Sequence, residues 1–414
     1  MAAVVAINAL NAQNYNVRED ILADRIRLNG SDGLASTKYH KLTPAPKGYK
    51  EFYVSHYGRH GARYAWQHDM YERMKAFLDR ADSLGALTAE GKEFKRNFDI
   101  LYPQVRYTVG ELSAKGWRQQ HDLALLMYKD YPLAFRDGSK VTACSSPVLR
   151  CVMSMSAFCI GLKEANPSLD IYESSSALDM PRVLPLNSNN PYPPKDYKVF
   201  ECPLPESEAD FTRRKVDIDT ILGRLLTDVD LVVPEDMKLS TVNYLYYFIN
   251  GMPSLDTPLD FTAPFTVEDR LQMWESDNYQ YYMYAWMGRY AYLSMLRDIV
   301  DRANEHIHSG DRGADLRFGH DTSITPLMML MNIDGCGEKV TDPDDVCHWI
   351  QNYRIPMGTN VHIVLYRSGK VGAPILFKVT LNGDEVHLHD LQTDSWPYYK
   401  WSDFESYVSS LEAM

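Results

Sequence analysis

The first clear pattern is a β-branched and aromatic run over 51–55, Phe52, Tyr53 and Val54 among them, which predicts a strand. Gly58 and Gly61 follow, so the strand delivers its last residues to a glycine-broken turn at the rim of a sheet. Met70, Met74, Phe77 and Leu78 recur at helical spacing and predict helix over 69–102, punctuated by Gly85 and Gly91. A further helix opens at 110–113, with Ser113 as N-cap and Leu123, Leu125, Leu126 and Tyr128 as its buried stripe. Residues 140–143 read as a short second strand. A Ser/Pro turn with Ser145, Ser146 and Pro147 follows, then a helix through Met153, Met155, Phe158 and Leu162. From 166 to 266 the alternation fades among Pro181, Pro185, Pro191, Pro193, Pro194, Pro203 and Pro205, with helical signals near 218–226 and 242–248. Residues 267–307 form one long helical pattern, or two, rich in Tyr, Trp and Met.

A third strand-to-loop segment spans 315–323. Thr322 or Ser323, or else Asp321 itself, caps a helix beginning near Ile324, with Pro326 in its first turn. Strands over 360–366, 374–381 and 385–388, joined at Ser368-Gly369 and Asn382-Gly383, predict an antiparallel meander at a sheet edge. Residues 402–411 close the chain as a helix. The polar stretch 13–50 reads as an arm with a little local structure. These elements predict an α/β fold: a doubly wound, mostly parallel sheet with helices on both faces, carrying a mostly α-helical inserted cap domain. The core is expected over 13–165 and 308–414, and the insertion over 166–307.

Composition changes the picture in three ways. At 414 residues, 45% hydrophobic and 24% charged, the chain is globular and long enough for such an insertion. Its formal net charge of -12 argues against nucleic acid as a partner, so an anionic ligand must be met by a local cluster of cations. The uncharged, apolar first ten residues, with Ala9 and Ala12 before Gln13, resemble the tail of a secretory signal peptide over 1–12, so the protein is expected to be exported, periplasmic or extracellular. No later apolar run is long enough to span a bilayer. Of the six cysteines, Cys151 and Cys159 lie on one helix too far apart to bridge, and Cys336 and Cys347 are the best pair for a disulfide. No CxxC pair and no HExxH occurs, so zinc is poorly supported, and no metal or cofactor is expected.

The chemistry gathers at the three strand-to-loop segments, because ligands of such sheets sit beyond the carboxyl ends of parallel strands. They carry Arg59, His60 and Arg63; Arg150; and His320 with Asp321. A cation is not favoured in the first turn of a helix, so Arg150 there suggests a nearby anion, although a surface arginine is the bland reading. Three guanidinium groups match phosphoryl oxygens, and losing one well-aimed donor costs about 3 kcal/mol of barrier. An unprotonated His60, its pKa lowered by the arginines, can attack phosphorus, and Asp321 can protonate the leaving oxygen. The basic run Arg213-Arg214-Lys215 either helps to hold an anionic substrate or is a solvated face.

Arg59-His60-Gly61-Ala62-Arg63 near the start, with Phe318-Gly319-His320-Asp321-Thr322 late in the chain, resembles the histidine acid phosphatase branch of the histidine phosphatase superfamily, phytases and multiple inositol polyphosphate phosphatases included. The resemblance covers the α/β core at both ends and is vague over the insertion. It implies a phosphohistidine on His60, a phosphate pocket of Arg59, Arg63, Arg150 and His320, Asp321 as proton donor, and a small phosphate ester as substrate. Ala65 stands where the family usually has proline. His320-Asp321 looks more like the phytase, glucose-phosphatase and general acid phosphatase side than the His-Ala-Glu of many inositol polyphosphate phosphatases. A phosphomutase of the same superfamily and a silent phosphate or phosphosugar binder are the rival readings.

Overall fold

The computed structural model describes residues 16–195 and 197–413; the segment 1–12 lies outside the described residues. The strands are β1 (Tyr49–Arg59), β2 (Lys140–Ser145), β3 (Asp170–Ser174), β4 (Gly313–Gly319), β5 (Asn360–Ser368), β6 (Leu376–Leu381), β7 (Asp384–Glu385) and β8 (Tyr399–Lys400). They form one sheet in the order β3-β2-β4-β1-β5-β6-β7, with β8 also paired to β6. β3, β2, β4 and β1 run parallel, and β5, β6 and β7 continue the sheet antiparallel, so it is mixed. The antiparallel edge is the meander expected from the Ser-Gly and Asn-Gly turns.

The α-helices of eight or more residues are α1 (Met70–Ser83), α2 (Ala89–Val105), α3 (Ala114–Asp130), α4 (Leu149–Ala165), α5 (Glu208–Lys215), α6 (Lys238–Gly251), α7 (Val267–Gly288), α8 (Leu293–Ser309), α9 (Asp321–Leu330) and α10 (Trp401–Glu412). Leu123 and Met127 of α3 and Phe158 and Leu162 of α4 bury one face of the sheet against Val54, Val141 and Leu316. Met295 and Ile299 of α8, Leu327 of α9 and Phe404 of α10 bury the other against Tyr53, Tyr57 and Ile363. Helices thus cover both faces, as a parallel core requires. A separate cluster joins Met74 and Leu78 of α1 and Phe94 and Phe98 of α2 to Ile221, Val242, Tyr246 and Phe248. The helical layer therefore draws on chain before β2 as well as after β3.

Four local expectations are corrected. β3 falls in the stretch read as irregular; it is a largely exposed edge strand, so no apolar alternation marks it. The N-terminal arm is structured. Val17–Ala23 is a short helix and Arg25–Asp32 a 3-10 segment, with Val17, Ile21 and Leu28 packed on Leu271 and Trp274 of α7. The late helix begins at Asp321 with His320 as N-cap and no side-chain cap bond, so Thr322, Ser323 and Asp321 do not cap it, and Pro326 lies inside it, beyond the first turn. All six cysteines are free, so Cys336 and Cys347 do not form the expected disulfide. Cys336 is buried in an apolar cluster, whereas Cys347 Sγ turns to the Asp344 carbonyl. Among the described residues no helix is long and apolar enough to cross a membrane.

Candidate active site

Strand register builds the site. β1 and β4 are paired parallel to their last residues, Arg59 opposite Gly319, so His60 and His320 emerge side by side. β2 ends with Ser145 opposite Phe318, which brings Ser146 and the start of α4, with Arg150, to the same rim. The loop after β1 can pass this close to α3 only because two glycines meet there. A Cβ on Gly61 would lie 2.4 Å from the Gly116 carbonyl oxygen, and one on Gly116 would lie 2.1 Å from the Ala62 oxygen.

The loop is held on all sides. His60 N–H donates to Gly319 O (3.0 Å), and His60 O accepts from Gly358 N–H (2.9 Å). Gly61 N–H donates to Ser154 Oγ (3.0 Å) and Ala62 N–H to Gln119 Oε1 (3.1 Å). Gln120 Nε2 donates to Arg59 O (2.9 Å). Ser113 Oγ accepts from Gly116 N–H as the expected N-cap and donates to Ala62 O (3.1 Å). Such saturation of buried backbone groups fixes where the next side chain can point.

His60 is 1% exposed. Its Nδ1 lies 2.9 Å from Gly61 O. A carbonyl only accepts, so Nδ1 carries the hydrogen and Nε2 keeps its lone pair. Burial, then Arg150, Arg59, Arg63 and His320, hold its pKa well below the ordinary histidine value, so the ring is neutral. The His320 ring stands edge-on to it, centroids 5.6 Å apart at 70°. Arg150 Nη2 lies 3.5 Å from His320 Nδ1, and His320 Nε2 lies 3.1 Å from Ser146 Oγ. Arginine cannot accept, so Nδ1 is the acceptor and Nε2 the donor, and burial with Arg150 pulls His320 down to about 3.

Each arginine is anchored through its terminal nitrogens. Arg59 Nη1 donates to Ile355 O (2.7 Å) and to Ser31 O, and its Nη2 pairs with Asp321 Oδ2 at 3.0 Å. Arg63 Nη2 pairs with Asp32 Oδ1 (2.9 Å) and its Nη1 donates to Tyr64 O (3.2 Å). Arg150 Nη1 reaches Gly110 O (3.3 Å). In all three the Nε is buried without a hydrogen-bond partner among the described residues. A buried, unpaired cationic donor is costly, and three of them around one imidazole suit a tetrahedral oxyanion. Among the described residues no group of three or more His, Cys, Asp or Glu side chains is placed to hold a metal ion.

Asp321 accepts from Tyr281 OH as well as Arg59. Burial pushes its carboxyl up, but Arg59, Tyr281, His320 and Arg63 outweigh it and hold the pKa at about 2. The structure thus gathers all six residues singled out from the sequence: Arg59, His60, Arg63, Arg150, His320 and Asp321. Sequence reasoning missed Ser31 and Asp32, which lie in the supposed arm, and Tyr281, one of 28 tyrosines with nothing local to mark it. An N-cap asparagine at Asn16 followed by Val17 and Ile21 was the signal available for the arm. Arg213, Arg214 and Lys215 pair instead with Asp210, Glu206, Asp344 and Glu275, which makes them a solvated face.

No model of a known protein family matches the sequence, and no curated protein does. Solved structures do match the fold. The multiple inositol polyphosphate phosphatase of Bifidobacterium longum, in complex with phosphate, superposes with a TM-score of 0.71 over 93% of this chain and 98% of its own, at 17% identity. The phytase from D. castellii gives 0.64 over 97% and 86%, at 15% identity, and that from Klebsiella sp ASR1 gives 0.55 over 90% and 96%, at 13% identity. The chain has the fold of these histidine acid phosphatases, a mixed sheet with a helical cap.

Proposed function

We propose that this chain, built on the histidine acid phosphatase fold, is a phosphomonoesterase that works through a phosphohistidine on His60. The observation that carries the proposal is the set of unpaired Nε donors of Arg59, Arg63 and Arg150 around a neutral imidazole whose Nε2 keeps its lone pair. In the first step Nε2 forms a bond to phosphorus as the ester P–O bond breaks, and Asp321 gives its proton to the leaving oxygen, releasing the alcohol. In the second, water bonds to phosphorus as the N–P bond breaks; a water proton returns to Asp321 and inorganic phosphate is left. The arginines neutralise the phosphoryl oxygens throughout, with His320 Nδ1 holding Arg150 beside them, which is most of what such a transfer needs. The chemistry of this donor set asks for no metal or cofactor.

The substrate class we propose is a phosphate ester of the inositol phosphate or sugar phosphate kind. Support comes from the neighbouring structures, one of them bound to inositol hexasulfate, and from the His320-Asp321 pair. A silent phosphate binder would use the same arginines but has no need of a carboxyl group beside the leaving oxygen.

The test is turnover of a chromogenic phosphomonoester at acid pH in the presence of chelator. His60→Ala should abolish it, and Asp321→Asn should lower it by about 10²-fold or more. Turnover unaffected by either change, or phosphate retention without product, would reject the proposal.

A further inference from the structure

The hydroxyl of Tyr281 closes a ring of hydrogen bonds that neither the nucleophile nor the phosphate cradle requires. Tyr281, on α7, donates to Asp321 Oδ2 and lies 2.6 Å from Ser31 Oγ. With its own proton committed to the carboxylate, it accepts from Ser31. The Ser31 carbonyl accepts from Arg59 Nη1, and Arg59 Nη2 returns to Asp321 Oδ2 at 3.0 Å. Four residues from four separate stretches of chain complete the circuit. Two donors converge on Oδ2, whereas among the described residues no hydrogen-bond donor meets Oδ1.

We infer that Tyr281 is a positioning residue for proton transfer: it pins Oδ2 of Asp321 so that Oδ1 carries the proton to the leaving oxygen. This rests on the reading of Asp321 as the proton donor. A carboxyl group turns readily about its last torsion, and an acid held by one contact samples both orientations. Arg59 alone is a poor anchor during the reaction, because its guanidinium is shared with the phosphoryl oxygens. Among the described residues Tyr281 makes no hydrogen bond to Arg59, Arg63, Arg150 or His320, so its bond to the carboxyl group can persist through both steps. Burial and the Asp321 charge keep its phenol well above the ordinary range, so the hydroxyl stays a donor. The ring also joins α7 of the helical layer to the acid at the rim of the sheet, a connection through which that layer can set the geometry of proton transfer.

The test is a leaving-group series of phosphomonoesters, from alkyl to dinitrophenyl, run on Tyr281→Phe and Asp321→Asn side by side. Dinitrophenolate departs without a proton and alkoxide does not. For Tyr281→Phe the expected result is a kcat/KM, which reports transfer to His60 and not the later hydrolysis common to all esters, about 10- to 30-fold lower on the alkyl ester and about 2-fold or less lower on the dinitrophenyl ester. Ser31→Ala, which removes the hydroxyl that donates to Tyr281, should move in the same direction by less. Competitive inhibition by inorganic phosphate reports whether each variant is folded. Equal losses across the series, or none, in a folded Tyr281→Phe would overturn the inference while leaving Asp321 as donor. Where that variant does not fold, Ser31→Ala decides, and a loss there that ignores the leaving group overturns it equally. A flat series in Asp321→Asn would instead remove the proton donor itself, and the role of Tyr281 with it.

Discussion

His60 and Asp321 hold opposite protonation problems at one site. Burial, Arg150, Arg59 and Arg63 keep His60 well below the ordinary histidine value, so its lone pair is available in acid. Asp321 sits at about 2, burial being outweighed by Arg59 and Tyr281, and an acid that low arrives at the reaction ionised. It needs both a raised pKa and a proton. A phosphoryl group settling among the same arginines draws Arg59 away and adds negative charge beside the carboxyl group, which raises its pKa. On the proposed mechanism the proton comes with the substrate, since a phosphomonoester keeps one until its second ionisation at about pH 6. The sign follows: kcat/KM should be nearly level from about pH 4 to about pH 6, then fall about tenfold per unit as the monoanion disappears. Rate profiles with esters of different second pKa check this. The alkaline limb should move with the ester, and a limb fixed across esters would place the proton elsewhere.

At the scale of elements, the two segments with the strongest local signals were legible: a strand run into Arg59-His60-Gly61-Ala62-Arg63, and a late His320-Asp321 before a helix. Their meeting depended on the β1–β4 register, which only the assembled sheet supplies. The 3-10 segment that brings Ser31 and Asp32 to the arginines was not legible, because 3-10 turns lack a sustained period and its buried residues include Asn29, Ser31 and Asp32. Nor was β3, an exposed edge. The Cys336–Cys347 expectation failed because sequence proximity around a loop says nothing of which way each sulfur faces. Gly61 was legible as a turn breaker, but its reason is the contact with α3. Gly61→Ala forces its Cβ against the Gly116 carbonyl oxygen, only 2.4 Å away and part of the backbone. The expected cost is about 1–3 kcal/mol of stability, with kcat falling about 10-fold or more, because the same residue orients His60 through Nδ1. Gly85→Ala is the contrast: nothing lies within 4 Å, but φ is +65°, so about 1 kcal/mol of stability should go and kcat should not change. Denaturant unfolding and initial rates on both variants separate clash from backbone strain.

Across the whole molecule, the site has no single owner. The 3-10 segment supplies Ser31 and Asp32, the β1 loop its arginines and histidine, α4 Arg150, α7 Tyr281, and the β4–α9 junction His320 and Asp321. α7 is also where the apolar clusters meet. Leu271 and Trp274 pack on the N-terminal segment, Met273 belongs to the helical layer, and Tyr279 and Tyr282 belong to the cluster on the sheet. An anion held by Arg59, Arg63 and Arg150 is therefore linked to the folding of all these parts at once. Inorganic phosphate at about 100 times its Kd should add about 2.7 kcal/mol to the native state, an upward shift of a few degrees in Tm. The shift should appear as a single transition moving as a unit, since α7 leaves the helical layer no boundary across which to melt alone. Arg150→Ala should abolish most of it at the same phosphate concentration without lowering the starting Tm by much, because that side chain is half-buried and its anchoring bond to Gly110 O is long at 3.3 Å. Scanning calorimetry with and without phosphate reads both quantities. Two transitions, only one of them moved by phosphate, would show that α7 does not couple the helical layer to the sheet.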